Sequence, residues 1–440
     1  MADVCIITKT NAILNADTRV FKEAFSLRDA GYRVHIVGAK WFAIPAREEI
    51  DGVQVDRVSP RIEGLKKLPG ALVWPILAIP LLLMLPFVLF TKKKHKTTMR
   101  LAFDRAVPGI INWALLPVFW RRVYRLTRGQ RYQVYHAHDL VALPIAWWMK
   151  KRRGGAVVYD CHELWLDRNT WRKRTRYNPD RVFEWFLESF LIRRANAVLV
   201  VSESIADTLA KRYRIRRPVV VLNTPYYIDL AKENGLPDLR SRAGITDNKP
   251  IVLYIGLISY GRGLERLVEA MSHVPDCRLV LMGYDVEVQY TETIRKLAQE
   301  YGVIDRLHFV DAVPFPEVPL WVASADVATV LPDNRCLSYY YCMPNKLFEA
   351  IMAGVPVIAS DFPDMKKVIS EKRIGWTVNP ESVTDTAKAI NALLQDREAQ
   401  GAMRRNALEA AKIYNWEEQS KKLLDVYREI VPSSCKEETT

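Results

Sequence analysis

The sequence predicts an α/β protein with two Rossmann-like domains that face each other across a cleft. The chain has 440 residues, too many for one ordinary hydrophobic core. Short apolar runs alternate with amphipathic segments in both halves, and a stretch rich in Gly, Pro and polar residues at 224–250 separates them. We expect an N-terminal domain over 1–223, a C-terminal domain over 224–413 and a last helix within 414–440 that packs back on the N-terminal domain.

The apolar runs predict the strands of two parallel sheets. An amphipathic stretch at 19–31 ends in Gly31, which is typical of a helix that stops before the next strand. This alternation of strand and helix is the rhythm of a doubly wound sheet. The predicted strands lie at 4–8, 34–38, 53–58, 134–138, 156–160, 197–201 and 219–223 in the first half, and at 251–256, 278–283, 307–311, 326–331 and 355–360 in the second.

The charge is concentrated in the first half of the chain. Residues 1–225 contain 39 Lys and Arg against 19 Asp and Glu, a net charge of +20, whereas residues 226–440 carry a net charge of −6. A basic domain surface should meet an anionic partner, either nucleic acid or acidic lipid. No recognition helix or RNA-stacking motif is evident, which disfavours nucleic acid. The six cysteines show no CxxC pair, and no secretion signal leads the chain, so we expect reduced thiols in the cytoplasm.

The uncharged stretch LVWPILAIPLLLMLPFVLF, at 72–90, is long enough to span a bilayer. A single crossing would separate strands that must share one sheet, and three prolines would break the helix. We therefore predict a membrane-associating insertion over about 65–125 that enters one leaflet or lies at its surface. The alternative is a proline-broken helix pair in the domain core or in a dimer interface. The prolines are Pro75, Pro80 and Pro86, and the predicted interfacial anchors are Trp74, Trp113 and Trp120.

Two segments of the second half suit phosphate binding. IGLISYGRGLERLVEA, at 255–270, predicts a strand, a glycine-bearing loop and a helix that aims its amides and Arg262 at the cleft. MPNKLFEAIMAGVPVIAS, at 343–360, places Lys346 and Glu349 near the start of a helix. A cation beside helix amides suits a diphosphate, and a carboxylate suits ribose hydroxyls. The dinucleotide fingerprint GxGxxG is missing after the first strand, which disfavours NAD or FAD.

Several blocks together resemble the nucleotide-sugar-dependent glycosyltransferases of family 4. They are DTRVFKEAFSLRDAGYRVHIV, YHAHD, YDCHE, VLYIGLISYGRGLERLVEA, PNKLFEAIMAGVPVIASD and YNWEEQSKKLLDVY, in this order. The resemblance spans nearly the whole chain apart from about 60–125. It implies the GT-B architecture and a retaining transfer from a UDP-sugar or GDP-sugar, with no cofactor and no obligatory metal.

The resemblance also implies roles for individual residues. Arg262 and Lys346 would neutralise the donor diphosphate, His138 would lie beside the transferred sugar, and Glu349 would bind the ribose. By the residues alone, His138 could equally be a hydrogen-bonded structural group, and Asp17 only the N-cap of the helix that follows. Further donor contacts would come from Asn345, Leu347, Gly256, Gly283, Asp311 and Tyr341, and the acceptor side would be lined by Asp17, Arg19, Asp139, His162 and Glu163.

Two positions depart from the family pattern. Many members carry a pair of glutamates eight residues apart, and the place of the first is Tyr341 here. The usual Gly-Arg pair after the first strand of the C-terminal domain is Gly256-Leu257. These differences leave the donor sugar open.

The sequence thus predicts a transferase that adds a sugar to a lipid-linked or glycolipid acceptor in surface polysaccharide or glycolipid assembly. We expect it at the cytoplasmic face of the cell membrane, bound to an anionic surface, with no nucleic-acid partner and with a homo-oligomer left open. The alternatives are a nucleotide-sugar epimerase or hydrolase on the same fold, and a degenerate, non-catalytic membrane scaffold.

Overall fold

Two parallel sheets, each covered by helices, form the protein in a computed structural model that describes residues 3–14, 17–60, 113, 116–168, 179–233, 235–285 and 288–431. The predicted pair of Rossmann-like domains is confirmed. The apolar stretch at 72–90 and most of the predicted insertion lie outside the described residues. None of the helices in the described ranges combines the length and apolar character needed to span a bilayer.

The N-terminal sheet has eight strands in the order β3-β4-β2-β1-β5-β6-β7-β8. All seven predicted strands are present. The eighth, β3, was not predicted because its sequence REEI is an edge strand with little apolar character, antiparallel to β4. The strands are β1 (Asp3–Ile7), β2 (Arg33–Ala39), β3 (Arg47–Ile50), β4 (Val53–Val58), β5 (Val134–His138), β6 (Ala156–Cys161), β7 (Ala197–Val200) and β8 (Val219–Val220).

Alternation along the strands assigns side chains to the two faces of this sheet. Val134 and Ile6 belong to the core beneath the first helix, whereas Tyr135 and Tyr159 belong to the core on the opposite face. The helices are α1 (Thr18–Asp29), a helical segment that ends at 126, α2 (Asp139–Arg153), α3 (Pro179–Ile192) and α4 (Glu203–Tyr213).

The C-terminal sheet is entirely parallel, in the order β11-β10-β9-β12-β13-β14. The sequence analysis missed its edge strand β14, which is four residues long and only partly buried. The strands are β9 (Ile251–Ile255), β10 (Arg278–Gly283), β11 (Leu307–Asp311), β12 (Val327–Val330), β13 (Val357–Ser360) and β14 (Gly375–Val378). The helices are α5 (Leu239–Arg242), α6 (Leu264–Met271), α7 (Val288–Glu300), α8 (Val318–Ala323), α9 (Leu337–Tyr340), α10 (Asn345–Met352), α11 (Pro363–Lys372), α12 (Val383–Gln395) and α13 (Arg397–Ala411).

The last helix, α14 (Trp416–Ile430), packs against α1 of the N-terminal domain. Its N-cap is Asn415, whose side-chain oxygen accepts a hydrogen bond from the amide of Glu418 at 2.9 Å. Trp416 is buried, and its indole donates a hydrogen bond to Ser26 of α1 at 2.9 Å. The end of the chain therefore buttresses the helix that carries the N-terminal part of the site.

Two strand ends approach so closely at Gly283 that no side chain fits there. A Cβ on Gly283 would overlap the carbonyl oxygen of Gly256. We expect Gly283→Ala to lower the free energy of unfolding by about 3 kcal/mol, because backbone atoms would have to move. Urea unfolding monitored by circular dichroism measures the change.

Gly401 provides the control for this substitution. It lies inside α13, where an added Cβ would meet only the Arg405 side chain at 3.6 Å. We expect Gly401→Ala to raise the free energy of unfolding by about 0.5–1 kcal/mol, as alanine does in a helix interior. Equal stabilities for the two variants would contradict the close approach at Gly283.

Candidate active site

The carboxyl ends of the two sheets meet at an interdomain cleft. The loop after β6 contacts α9 of the other domain, where the amide of Leu164 donates to the Ser338 hydroxyl at 3.1 Å. Ser202, which follows β7, donates its hydroxyl proton to the carbonyl oxygen of Tyr341 at 2.7 Å. The strand ends of one domain therefore lie directly opposite the loops of the other, as expected for a ligand site in open α/β sheets.

A buried ion pair organises the N-terminal side of this cleft. Arg19 of α1 donates two hydrogen bonds to Asp160 at the end of β6, at 2.7 and 2.8 Å, and a third to the carbonyl oxygen of Val221 at 2.8 Å. Burial alone would raise the pKa of Asp160, but the Arg19 guanidinium and His162 hold it well below its usual range. Arg19 was predicted on the acceptor side; it is instead buried and fixes Asp160.

Two histidines extend this network towards the cleft. His162 Nε2 lies 2.9 Å from Asp160 Oδ2 and 2.9 Å from His138 Nδ1. Burial would lower the pKa of His162, but Asp139 and Asp160 outweigh it and raise the pKa to about 9. Burial and the neighbouring His136 hold the pKa of His138 well below its usual range. At neutral pH, His162 is therefore charged, and its Nε2–H lies within hydrogen-bond distance of both Asp160 Oδ2 and His138 Nδ1.

His162 and His138 differ in access to the cleft. The side chain of His162 is 30% exposed, whereas that of His138 is 1% exposed. The structure therefore places His138 in a buried hydrogen-bonded network and His162 at the surface of that network. Of the two predicted histidines, His162 is therefore the more accessible one.

The structure adds Glu23 and His136, which the sequence analysis missed. Glu23 Oε2 lies 3.4 Å from His136 Nε2 and 3.5 Å from His138 Nε2. Burial and the nearby Asp160 raise the pKa of Glu23 to about 8, so its carboxyl group holds a proton at neutral pH. His136 Nδ1 lies 2.8 Å from the Tyr427 hydroxyl of α14. Two features of the sequence could have revealed these residues. His136 shares a strand face with His138, and Glu23 follows Arg19 by one helical turn.

Four side chains of this network have the chemistry of metal ligands. One atom each from Glu23, His136, His138 and Asp160 lies within 4.8 Å of the others. A divalent cation there would compete with Arg19, whose guanidinium already bonds both Asp160 oxygens. Arg19 thus already supplies a positive charge at this place. The absence of an obligatory metal stays a prediction.

Asp139 and Asp17 shape the loops above the network. Asp139 has a φ of 60° and accepts a hydrogen bond from the His162 amide at 3.2 Å, which sets the position of His162. Asp17 accepts from the amide of Ile13 at 2.9 Å and makes no side-chain cap to α1. Asp17 therefore occupies the N-cap position of α1, as predicted, but its carboxylate bonds the preceding loop at Ile13 and not the helix.

Glu163 lies where the two domains face each other. Burial and Asp139 raise its pKa to about 7, whereas Arg168, His162 and, from the other domain, Arg262 act to lower it. The field of Arg262 thus reaches an acidic group of the N-terminal domain. A ligand between the domains would contact both signs of charge.

The C-terminal side of the cleft carries two cations, Lys346 and Arg262. Lys346 follows the first residue of α10, Asn345, and its ammonium lies 3.9 Å from the ring centroid of Tyr254. Burial and Arg262 lower the pKa of Lys346 to about 7. The guanidinium of Arg262 lies 5.6 Å from the Tyr339 ring, and its buried Nε has no hydrogen-bond partner within the described ranges.

Within the described part of the chain, neither cation has a carboxylate within 4.0 Å. The ion pairs found there include neither Lys346 nor Arg262. Two unneutralised cations beside the first turn of a helix create an anion site, and placing such charges together without a ligand is unfavourable. This pair is the clearest sign of what the cleft binds.

Glu349 lies one turn after Lys346 and is almost fully buried. Burial raises its pKa to about 7, against the opposing effects of Lys346 and of Lys22 from α1. Lys22 was not predicted. Its ammonium donates to the Thr224 carbonyl oxygen at 2.5 Å and lies 4.9 Å from the Trp416 ring, so α1 reaches the start of the second domain.

The remaining predicted donor residues fall into two groups. Gly256 follows β9, and a Cβ there would lie 3.5 Å from Lys346 Nζ, so the glycine leaves room around the ammonium. Gly283 and Asp311 are register partners at the ends of β10 and β11, and Asp311 is exposed to the cleft side of the sheet. Leu347, in contrast, packs in the core and its amide donates to Pro344 at 3.0 Å, so it presents no group to a ligand.

This fold and this anion site define a sugar transferase of GT-B architecture. The profile described as Glycosyltransferase Family 4 matches residues 95–229, and that of Glycosyl transferases group 1 matches residues 237–410. The chain is thus a glycosyltransferase, similar to family 4 in its first half and to group 1 glycosyltransferases in its second half.

Curated relatives agree with this assignment. The chain is 28% identical to the alpha-D-kanosaminyltransferase of Streptomyces kanamyceticus over 57% of its own length and 64% of that protein, somewhat under two thirds. It is 24% identical to the D-inositol 3-phosphate glycosyltransferase of Corynebacterium efficiens, over 73% of this chain and 77% of that one.

Solved structures share the fold over nearly the whole chain. The sucrose-phosphate synthase of Thermosynechococcus elongatus superposes with a TM-score of 0.72 at 20% identity, covering 98% of this chain and 99% of that one. HepE of Anabaena, solved in complex with UDP-glucose, gives a TM-score of 0.66 at 13% identity, covering 98% and 100%. At these identities the likeness concerns the fold alone.

The buried ion pair predicts a large loss of stability when it is broken. We expect Arg19→Ala to lower the free energy of unfolding by about 3–5 kcal/mol, because Asp160 would be left buried without its cation. The control is Arg33→Ala, which breaks the exposed pair with Asp3 and should cost less than about 1 kcal/mol. Urea unfolding of both variants measures the difference, and similar small losses would argue against the buried network.

Proposed function

We propose that this transferase moves a sugar from a nucleoside diphosphate sugar to a lipid-linked or glycolipid acceptor, with retention of configuration. The observation that carries the donor part is the pair of cleft cations, Arg262 and Lys346, without carboxylate partners within the described residues. The acceptor part rests on the basic first half of the chain and its apolar stretch at 72–90.

The donor fits the second domain by charge. A diphosphate brings about two negative charges to a place where burial and Arg262 lower the pKa of Lys346 to about 7. Glu349, one turn away, offers a carboxylate to ribose hydroxyls. That HepE, a protein of the same fold, was solved with UDP-glucose supports a UDP-sugar as donor. A GDP-sugar satisfies the same charges.

The cations also suit the chemical step. When the bond between the anomeric carbon and the diphosphate oxygen breaks, its electron pair stays on the diphosphate. Arg262 and Lys346 stabilise this developing charge, and the acceptor hydroxyl oxygen forms the new bond to the anomeric carbon on the same face. Stabilisation of the leaving group is thus the principal contribution of the second domain.

The histidines of the first domain suit sugar binding better than proton abstraction. His162 is protonated at neutral pH because Asp139 and Asp160 raise its pKa to about 9. A charged imidazole cannot accept a further proton, but it can donate a hydrogen bond to a sugar hydroxyl. His138 and Asp160 hold it in place from behind.

The acceptor is proposed to be lipid-borne, at the cytoplasmic face of the membrane. Residues 1–225 carry a net charge of +20, and basic surfaces gain affinity for anionic leaflets. An acceptor with a diphosphate or phosphate headgroup would be drawn to the same field. Surface polysaccharide or glycolipid assembly is the process that such an acceptor serves.

Donor binding should depend on pH through Lys346. The free protein loses the Lys346 charge as pH rises through about 7, whereas a bound diphosphate restores it, so binding takes up a proton. We expect UDP affinity, measured by calorimetry, to fall by up to about tenfold per pH unit between pH 7 and 9. Lys346→Arg keeps its charge throughout and should flatten this slope. A flat wild-type profile would show that UDP binding does not change the protonation of Lys346, which contradicts this prediction.

Transfer is tested with radiolabelled UDP-sugars and GDP-sugars and lipids extracted from membranes. We expect label in the lipid phase, and Lys346→Ala should reduce its rate of appearance about a hundredfold or more. Lys366→Ala is the control, since Lys366 is exposed and pairs with Asp361. Free sugar released at full rate without lipid would favour a hydrolase, and UDP binding without any turnover would favour a scaffold.

A further inference from the structure

Helix α3 departs from the polarity expected for a surface helix, although its inward side also buries Leu191 and Ile192. Its sequence PDRVFEWFLESFLI places both glutamates towards the protein interior and large aromatic side chains towards the outside. A surface helix of a protein surrounded by water shows the opposite pattern. The environment outside α3 is therefore expected to be apolar.

The outward side of α3 is a row of phenylalanines. Phe183, Phe186 and Phe190 are 49%, 61% and 43% exposed, and their spacing of three and four residues puts them on one side of the helix. Trp148 of the adjacent helix α2 is also exposed. We call these four residues the aromatic face.

The inward side of α3 fixes this orientation. Glu188 is fully buried and accepts hydrogen bonds from the hydroxyls of Tyr159 at 2.9 Å and Tyr213 at 2.5 Å. Glu184 accepts from Arg168 at 3.1 Å and from the Trp113 indole at 3.0 Å. If the phenylalanines turned inward, the hydrogen bonds of Glu184 and Glu188 would break, and the glutamates would lose these partners.

Cations border the aromatic face. The guanidinium of Arg194 lies 3.5 Å from the Phe190 ring centroid, and that of Arg152 lies 5.5 Å from Trp148. The ammonium of Lys151 lies 5.8 Å from Trp147, which in turn packs edge-on against Phe190. Aromatic rings mixed with Lys and Arg, whose long side chains can reach headgroups, are typical of a protein surface at the membrane interface.

The aromatic face is structurally linked to the mouth of the cleft. The 3-10 turn Trp165–Asp167 contacts both α3 and α9 of the second domain. Arg181 of α3 bonds Asp167 of this turn at 2.6 Å. A surface that holds α3 therefore also sets the position of the loop that carries His162 and Glu163.

We propose that the aromatic face rests on an anionic lipid bilayer and so brings the cleft to a lipid-borne acceptor. The inference deepens the proposed function and rests on its acceptor part. A bilayer fits better than a protein partner because the charged groups that lie against these rings, Arg194, Arg152 and Lys151, are cations, while Glu184 and Glu188 of α3 are buried. Trp113, which follows the apolar stretch in the sequence, packs on Phe183 with ring centroids 5.4 Å apart, so the chain joins this face there.

The test uses the full chain and two kinds of vesicle, one of phosphatidylcholine alone and one containing phosphatidylglycerol. We expect the wild-type protein to sediment with the anionic vesicles. The variant Phe183→Ser/Phe186→Ser/Phe190→Ser should bind them about a hundredfold less tightly. The variant Lys151→Gln/Arg152→Gln/Arg194→Gln should lose affinity for anionic vesicles by about fivefold for each cation removed.

A matched control comes from the second domain. Leu408 and Ile413 are 40% and 52% exposed and lie away from α3, so Leu408→Ser/Ile413→Ser removes apolar surface of a similar kind. This variant should bind vesicles as the wild type does. Circular dichroism and UDP binding confirm that each variant is folded, since none of the substituted residues lies in the donor site.

Each outcome distinguishes the inference from the proposed function. Unchanged vesicle binding by the phenylalanine variant would show that the aromatic face is not the membrane contact. Sugar transfer to extracted lipid in detergent would still support the proposed function in that case. Absence of wild-type binding to both vesicles would overturn the inference. A dimer in sedimentation velocity that the phenylalanine variant abolishes, without vesicle binding, would assign the face to a second copy instead.

Discussion

The N-terminal half of the cleft depends on one buried ion pair. Arg19 is the only partner that joins both oxygens of Asp160 among the described residues, and it also bonds the backbone that follows β8. It thereby connects α1, β6 and the chain leading to the second domain. Asp139 and Asp160 together keep His162 protonated, whereas burial lowers the pKa of His136 and His138.

The two sides of the cleft differ in how their charges are balanced. On the first side, Arg19 and His162 are paired with the carboxylates of Asp160 and Asp139 within the protein. On the second side, burial and mutual repulsion depress the pKa of Lys346, and a ligand is needed to restore its charge. In the function that we propose, the first side would bind the sugar and the second side the diphosphate, whose charge the cations there lack.

The membrane contact that we propose involves a folded surface, the aromatic face, as well as an apolar stretch of sequence. The stretch at 72–90 is recognised by its composition, whereas α3 is recognised by which of its side chains face outward. Its phenylalanines face outward because two buried glutamates are hydrogen-bonded inside. A helix held in this way presents a fixed apolar surface next to the loop that carries His162 and Glu163.

The sequence by itself determined the two sheets, since buried parallel strands are continuous apolar runs. It also identified Lys346, Arg262 and Glu349 as candidate residues, because they lie near recognisable helix starts. It could not predict the edge strands β3 and β14, which bury little. It also missed Glu23, His136, Lys22 and Tyr427, whose partners lie up to 291 residues away. Only the tertiary structure decided that His138 is buried behind His162, that Leu347 belongs to the core, and that α3 turns its aromatics outward. Each of these depends on which distant groups satisfy a buried polar atom, and local periodicity carries no information about such partners.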